Sequence, residues 1–520
     1  MQIIESLTQH HALMVLGDTT TSLLQCVVGL PPALHALAVE ARVEARVEAQ
    51  HHSVRAENQL TLGFPDWSVQ HLQSAHSSAQ VLRAIATFTQ LQSLSIDTSW
   101  CEGDRQASTA VQSEGASAMQ KVICDMFSGL GVSLRHLCFQ RGMCHHSAAA
   151  LLGALPSLTA LSSVRLTGAS SVPALRPAMF CSVVEGLVQL SELRSLQLDG
   201  YTFLNLSNWY RAGHTNFMHV ATFCSTLAQL TALTSLKLSK LIDVDDNTMP
   251  EHAYLETVRC LGVALESLHL LQNLELKRTI SEHAIAPVMR YIGRLTCLTR
   301  LVLHATCHRD EFIGEDLWKE PALSNLIGLH SLDVDNYCLY PEHAVAIAGL
   351  PSLSHLCLGG DAVGFSAAAN ERFWASLGEQ LASMSCLKRL ALCEIGFPNA
   401  FLSAWRGGLQ QSDNATPPSL KSLTLKFSIE ALSIESLALC LKSVYGLTML
   451  DLQCGPWTQG VTALASSVAG MHHLRELKLH IHRLCLEGRE AVLRLLLLAS
   501  GLIGVRRGLW MCPLHRPGFL

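Results

Sequence analysis

Histidine and cysteine have the widest chemical reach in this 520-residue chain, which carries 25 of the first and 18 of the second. Imidazole and thiolate ligate zinc, relay protons and act as nucleophiles, but each role needs a particular spacing. The doublets His10-His11, His51-His52, His145-His146 and His472-His473 send neighbouring rings to diverging sides of a helix or strand, and no H-E-x-x-H or Cys/His ligand spacing accompanies them. The cysteines are scattered singly from Cys26 to Cys512 without a C-x-x-C pair, so they read as reduced thiols in a reducing, cytoplasmic setting. Those at Cys138, Cys357 and Cys393 have no activating base beside them in sequence. A phosphate-cradling G-x-x-x-x-G-K-[ST] loop and a G-x-S-x-G nucleophile turn are both missing. The expectation is a non-enzymatic chain with no catalytic residue, no metal site and no cofactor.

Recognition is the remaining class of function, and composition narrows it. Hydrophobic residues make up 49% and charged residues only 15%, the reverse of a disordered chain. A net charge of -5 supplies no global basic field, so a nucleic-acid partner is not expected. The most apolar run, Val492 to Val505, is interrupted by Arg494 and spans about fourteen residues where a membrane helix needs about twenty. Glu5 stands where a secretory signal would carry positive charge. No membrane association is expected.

The elements that position any binding residues are announced by an internal repeat. The pattern L-x-x-L-x-L starts at Leu91, Leu134, Leu161, Leu193, Leu233, Leu271 and Leu298, and again at Leu329, Leu353, Leu387, Leu420, Leu447 and Leu474. These are about thirteen copies at intervals of roughly 24–43 residues, and a fainter strand runs through Leu60 and Leu62. Two leucines spaced by two share one face of an extended strand, while the segments between copies, such as Asn216 to Leu230 and Ala367 to Leu381, place apolar residues three and four apart as a helix does. One strand and one helix cannot bury their own apolar faces, but stacked copies can.

The pattern resembles the leucine-rich repeat proteins, specifically the ribonuclease-inhibitor-like subclass with long repeats and a full helix in each. The resemblance covers about residues 57–482. It implies an α/β solenoid, a horseshoe with a parallel concave sheet and convex helices. The family's polar ladder position, three residues after the third leucine, is here filled by residues as different as Ser99, Leu241, Thr279 and Gly455, so the asparagine ladder is absent and the repeats are degenerate. Their turn backbone groups must then be satisfied by one another or by water.

With the leucines facing the core, the third, fifth and seventh residues of each copy line the concave face. That face carries about seven basic and seven acidic side chains, which suits a polar protein-binding surface better than a phosphate-tracking groove. The candidate partner-binding residues are Asp97, His136, Arg165, Asp199, Lys237, Lys277, Arg300, His304, Asp333, Asp335, Arg389, Lys426, Asp451 and Lys478. Aromatic residues follow the strands instead, Trp100, Tyr201, Tyr337, Trp405 and Trp457 among them. They are expected either to gather along one rim as binding anchors or to fold back over the core.

The ends differ from the array. Residues 1–56, with the tandem VEARVEARVEAQ from Val39 to Gln50, read as a helical N-terminal cap, and residues 483–520 as a C-terminal cap with a loose tail. The segment Gly29 to Leu34 is similar to the opening of an F-box, the module that links substrate receptors to a ubiquitin ligase. The leading expectation is a monomeric protein-protein interaction scaffold with an as yet unidentified protein partner. The alternatives are the substrate receptor of a ubiquitin ligase or, as the resemblance implies, an activator that lends an arginine to a small GTPase.

Overall fold

The structure is a computed structural model that describes residues 59–63, 91–97, 111–140, 145–167, 177–199, 217–239, 251–281, 285–306, 322–335, 341–359, 367–395, 398–411, 419–427, 434–444, 446–454, 461–481 and 506–511. The chain divides into two compact units, Met1–Thr279 and Ile280–Leu520.

In the first unit, strands and helices alternate as β1 (Gln59–Gly63), β2 (Ser93–Asp97), α1 (Val111–Leu130), β3 (His136–Gln140), α2 (His145–Ala154), β4 (Ser163–Thr167) and α3 (Pro177–Leu187). They continue as β5 (Ser195–Asp199), α4 (Phe217–Leu227), β6 (Ser235–Ser239), α5 (Glu251–Glu266) and β7 (Asn273–Ser281). The strands pair in sequence order and every pair is parallel. Equivalent repeat positions stand side by side, Val164 against Leu196, Leu196 against Leu236 and Leu236 against Leu274. The leucine register predicted from the pattern holds, since Leu196, Leu198, Leu236 and Leu238 are fully buried while their strand neighbours remain partly exposed. Each such leucine contributes about 1.5–3 kcal/mol through burial.

The second unit repeats the architecture with α6 (Ile285–Ile292), β8 (Arg300–Thr306), β9 (Ser331–Asp335), α7 (Pro341–Ala348), β10 (His355–Gly359), α8 (Ala367–Ser383), β11 (Arg389–Ile395) and α9 (Pro398–Gln411). It ends with β12 (Ser422–Phe427), α10 (Ile434–Lys442), β13 (Met449–Cys454), α11 (Val461–Ala469), β14 (Glu476–Ile481) and β15 (Arg506–Met511). Strands β8 to β15 also pair in order and in parallel. Strand β15 lies inside the segment read from sequence as a C-terminal cap and tail, and it pairs with β14 from Glu476↔Arg506 to Ile481↔Met511. The expected N-terminal cap, residues 1–56, lies outside the described residues.

The helix layer is held by apolar packing and by small side chains that reach across. Cys181 on α3 donates to the His219 carbonyl at 3.4 Å, Cys440 on α10 to the Leu402 carbonyl at 3.1 Å, and Ser467 on α11 to the Ala438 carbonyl at 2.8 Å. Helices α8 and α9 come into close contact at Gly378, where an added Cβ would stand 2.5 Å from the Phe401 carbonyl oxygen and 2.8 Å from the Trp405 nitrogen. No side chain larger than hydrogen fits there without parting the helices.

A backbone ladder runs along the leading end of the strands. The carbonyl of the second residue of a copy accepts two N–H groups from the next copy: Gln92 O takes Arg135 N at 2.8 Å and His136 N at 2.9 Å, and Arg194 O takes Thr234 N at 2.8 Å and Ser235 N at 3.0 Å. In the second unit His330, Lys388 and Lys421 accept in the same way. Both lone pairs of one carbonyl are thus used by backbone donors. Hydroxyls add to the ladder where the sequence supplies them, as Thr234 Oγ1 to Arg194 O at 3.2 Å and Thr448 Oγ1 to Lys421 O at 2.9 Å. At the family's own ladder position Thr279 is fully buried and donates to the Leu238 carbonyl at 2.9 Å.

Candidate binding surface

The sheet face opposite the buried leucines is formed by alternate residues of each strand, and the candidate residues stand on it. In the first unit His136 and Arg165 are exposed, and Asp199, Lys237 and Lys277 are half-buried. Asp97 pairs in register with Gly63 and Gln140, though its side chain lies outside the described residues. In the second unit Arg300 and Arg389 are exposed, while His304, Asp333, Asp335, Lys426 and Lys478 are half-buried. Not every position on this face is open: Ser95 is 3%, Val302 1% and Asp451 9% exposed, so Asp451 offers a partner little surface.

Many of the charges are spoken for by their neighbours. Glu275, absent from the candidates above, sits between two of them, 2.6 Å from Lys277 Nζ and 3.4 Å from Lys237 Nζ. Burial pushes its carboxyl up, but the Lys277 hydrogen bond and the two lysine charges outweigh that and hold it below the ordinary carboxylate range. A carboxylate held low in the folded chain contributes stability above its unfolded value and loses it as pH falls through the folded one. Glu275→Gln is therefore expected to cost up to about 1 kcal/mol near neutral pH. In thermal unfolding across a pH series, the difference from the parent should close as pH drops well below about 4.3.

A second cluster lies on β8 to β11. His304 Nε2 is 3.3 Å from Asp333 Oδ1, an ion-pair distance once the ring is protonated. Asp335 lies over Gly359, where an added Cβ would come within 2.4 Å of its Oδ1. The Cys357 thiol is pushed far above its ordinary value by hydrogen bonding with Cys393, by burial and by the Asp333 charge. A thiol so held is a hydrogen-bonding group and a poor nucleophile. Cys138 is likewise raised, burial outweighing its Ser95 hydrogen bond and the Arg165 charge. Among the described residues no group of three or more His, Cys, Asp or Glu side chains is arranged to hold a metal ion. No helix among them is long and apolar enough to cross a membrane.

The rim aromatics Trp100, Tyr201, Tyr337 and Trp457 lie outside the described residues. Trp405 is on the inside of α9, 1% exposed, with its ring 5.5 Å from Phe401, so the core claims it and not a rim. The residues that sequence reasoning passed over are those immediately before each strand. Arg135, Arg194, Lys388, Lys421 and Arg475 all occupy the second position of a copy, are exposed, and stand at the leading edge of the sheet. The signal was present in the repeat itself, one residue upstream of the positions assigned to the face.

No protein-family model matches the chain, and no curated protein matches it. Among solved structures it is similar to one described as the crystal structure of a Rad7 and Elc1 complex in yeast, with 13% identity over 81% of this chain and 86% of that chain and a TM-score of 0.39. The alternation of parallel strands with helices and the shared register of the buried leucines are features of the chain itself.

Proposed function

We infer that the chain is a non-enzymatic, monomeric scaffold that binds a protein partner on the open face of its sheet. The observation that carries this reading is the alternation on the strands. On β5, β6 and β9 one face is buried leucine or valine and the other is half-exposed polar residues of both signs. Such a face presents many hydrogen-bonding and charged groups held in register by a rigid sheet, which favours selective recognition over tight, nonselective burial. The near balance of charge speaks against a nucleic-acid backbone as the main ligand. Full α-helices between most strands support placing the repeats in the ribonuclease-inhibitor-like subclass, and the free thiols suit a cytoplasmic setting.

The test is amine-reactive cross-linking in cell extract followed by mapping of the linked lysines. Lys237, Lys277, Lys426 and Lys478 stand on the open face, whereas Lys121 and Lys442 are exposed on α1 and α10. Partner peptides are expected on the open-face lysines. Partner cross-links confined to Lys121 and Lys442 would place the binding surface on the helices and overturn the reading.

A further inference from the structure

The charges of the second unit are balanced in number but separated in space. The first three residues of each copy, from the one opening at Leu298 to the one opening at Leu474, lead into β8 to β14. Their charged members are Arg300, Lys388, Arg389, Lys421 and Arg475 against Glu476 alone. The five basic residues are exposed. Glu476 is itself occupied by Lys478, 3.1 Å away, and Asp333 lies 3.3 Å from His304 further along the strands. Asp333, Asp335 and Asp451 all lie further along the strands, at the fifth and seventh positions. In the first unit the same three positions carry only Arg135 and Arg194, the third positions being mostly serine, and Arg194 is within 3.6 Å of Glu192, so the basic side chains there are fewer and partly compensated.

The local field is visible in a neighbour. His355, at the same level on β10, is held below its ordinary value first by burial and then by the charges of Arg389, Lys388 and His330. A row of cations left uncompensated in a chain of net charge -5 is an electrostatic cost that a partner of opposite sign would relieve.

We propose that this leading edge of the second unit is a docking strip for an acidic, extended segment of the partner protein. This deepens the reading of the open face as a protein-binding surface and rests on it. Adjacent strands are about 4.8 Å apart, so β8 to β14 span about 29 Å, the length of some nine extended residues. Backbone and carboxylates of such a segment lie within reach of the exposed guanidinium and ammonium groups along that length, and Arg300 and Arg389 offer forks that match a carboxylate. The aspartates one step further along the strands would repel a second line of negative charge, so the strip takes a narrow acidic chain. A polynucleotide is disfavoured for the same reason, and because the leading segments of these copies carry no Phe, Tyr or Trp for bases to stack on.

The experiment uses the full chain and a fluorescein-labelled dodecamer of glutamate, followed by anisotropy at low and at physiological salt. Saturable binding that weakens with salt is expected, falling at least tenfold in the double variant Lys388→Glu/Arg389→Glu and several-fold in Lys421→Glu, with Lys442→Glu on α10 unchanged. All these side chains are exposed, so the variants should keep the parent unfolding midpoint. Absence of binding, affinity indifferent to the leading-edge substitutions, or tighter binding of a single-stranded oligonucleotide lost in the same variants would overturn the proposal. Partner cross-links on the open-face lysines would survive that failure. Their confinement to Lys121 and Lys442 would instead end the scaffold reading while leaving the peptide result as measured.

Discussion

Phe401→Ala should lower stability by about 3–5 kcal/mol, among the largest effects expected from one substitution in this chain. Phe401 is fully buried at the contact of α8 and α9, and its ring lies 6.4 Å from Trp374 and 5.5 Å from Trp405, while Trp374 packs edge-on against Phe373 at 4.9 Å. Truncation would open a cavity that the surroundings can close only in part, because the backbones of the two helices are already in close contact at Gly378. It would also remove tilted and edge-to-face ring contacts worth about 0.5–1.5 kcal/mol beyond area. In a solenoid each repeat leans on its neighbours alone, so the loss should appear first as early unfolding of the second unit and a broader overall transition. Urea unfolding followed by tryptophan fluorescence measures it, with Phe401→Leu as the volume-sparing comparison. A shift below about 1 kcal/mol for the alanine variant would mean that the α8–α9 contact is not the packed cluster described.

The repeat was legible because its spacing is enforced by geometry. Leu134, Leu137 and Phe139, like Leu193, Leu196 and Leu198, must point one way for the copies to stack, and all are buried. The same rule located β1 from Leu60 and Leu62 alone. Strand β15 escaped because in Arg506–Met511 only Leu509 matches the leucine pattern, and parallel pairing with β14 can place a strand that its own residues do not announce. Trp405 follows a strand in sequence, yet lies four residues from Phe401 on a helix, and that periodicity sends it inward. Absence of the asparagine ladder was evident, but the doubly used carbonyls at Gln92, Arg194 and Lys421 were not, since backbone acceptors leave no trace in residue type. On the open face of the sheet, position was readable and charge compensation was not. Summing the face to near zero concealed both the Lys237–Glu275–Lys277 cluster and the basic leading edge of the second unit.

The second large effect concerns binding. Asp333 and Asp335 project from one strand of the open face, half-exposed, beside His304 and over Gly359. If a partner's basic groups meet them, Asp333→Lys/Asp335→Lys replaces two attractions with two repulsions at a partly desolvated contact, where like charges brought together cost several kcal/mol. Arg300→Asp makes the opposite change at an exposed position, so it separates loss of binding from loss of fold. Glu256→Lys on α5 reverses a charge on the helix layer and serves as the comparison. The decisive measurement is quantitative affinity capture of the partner from cell extract by these variants, each first shown to keep the parent unfolding midpoint. Capture is expected to fall at least tenfold for Asp333→Lys/Asp335→Lys and measurably for Arg300→Asp, with Glu256→Lys unchanged. Undiminished capture by both open-face variants, or loss of capture in Glu256→Lys alone, would contradict the assignment of this sheet face as the binding surface.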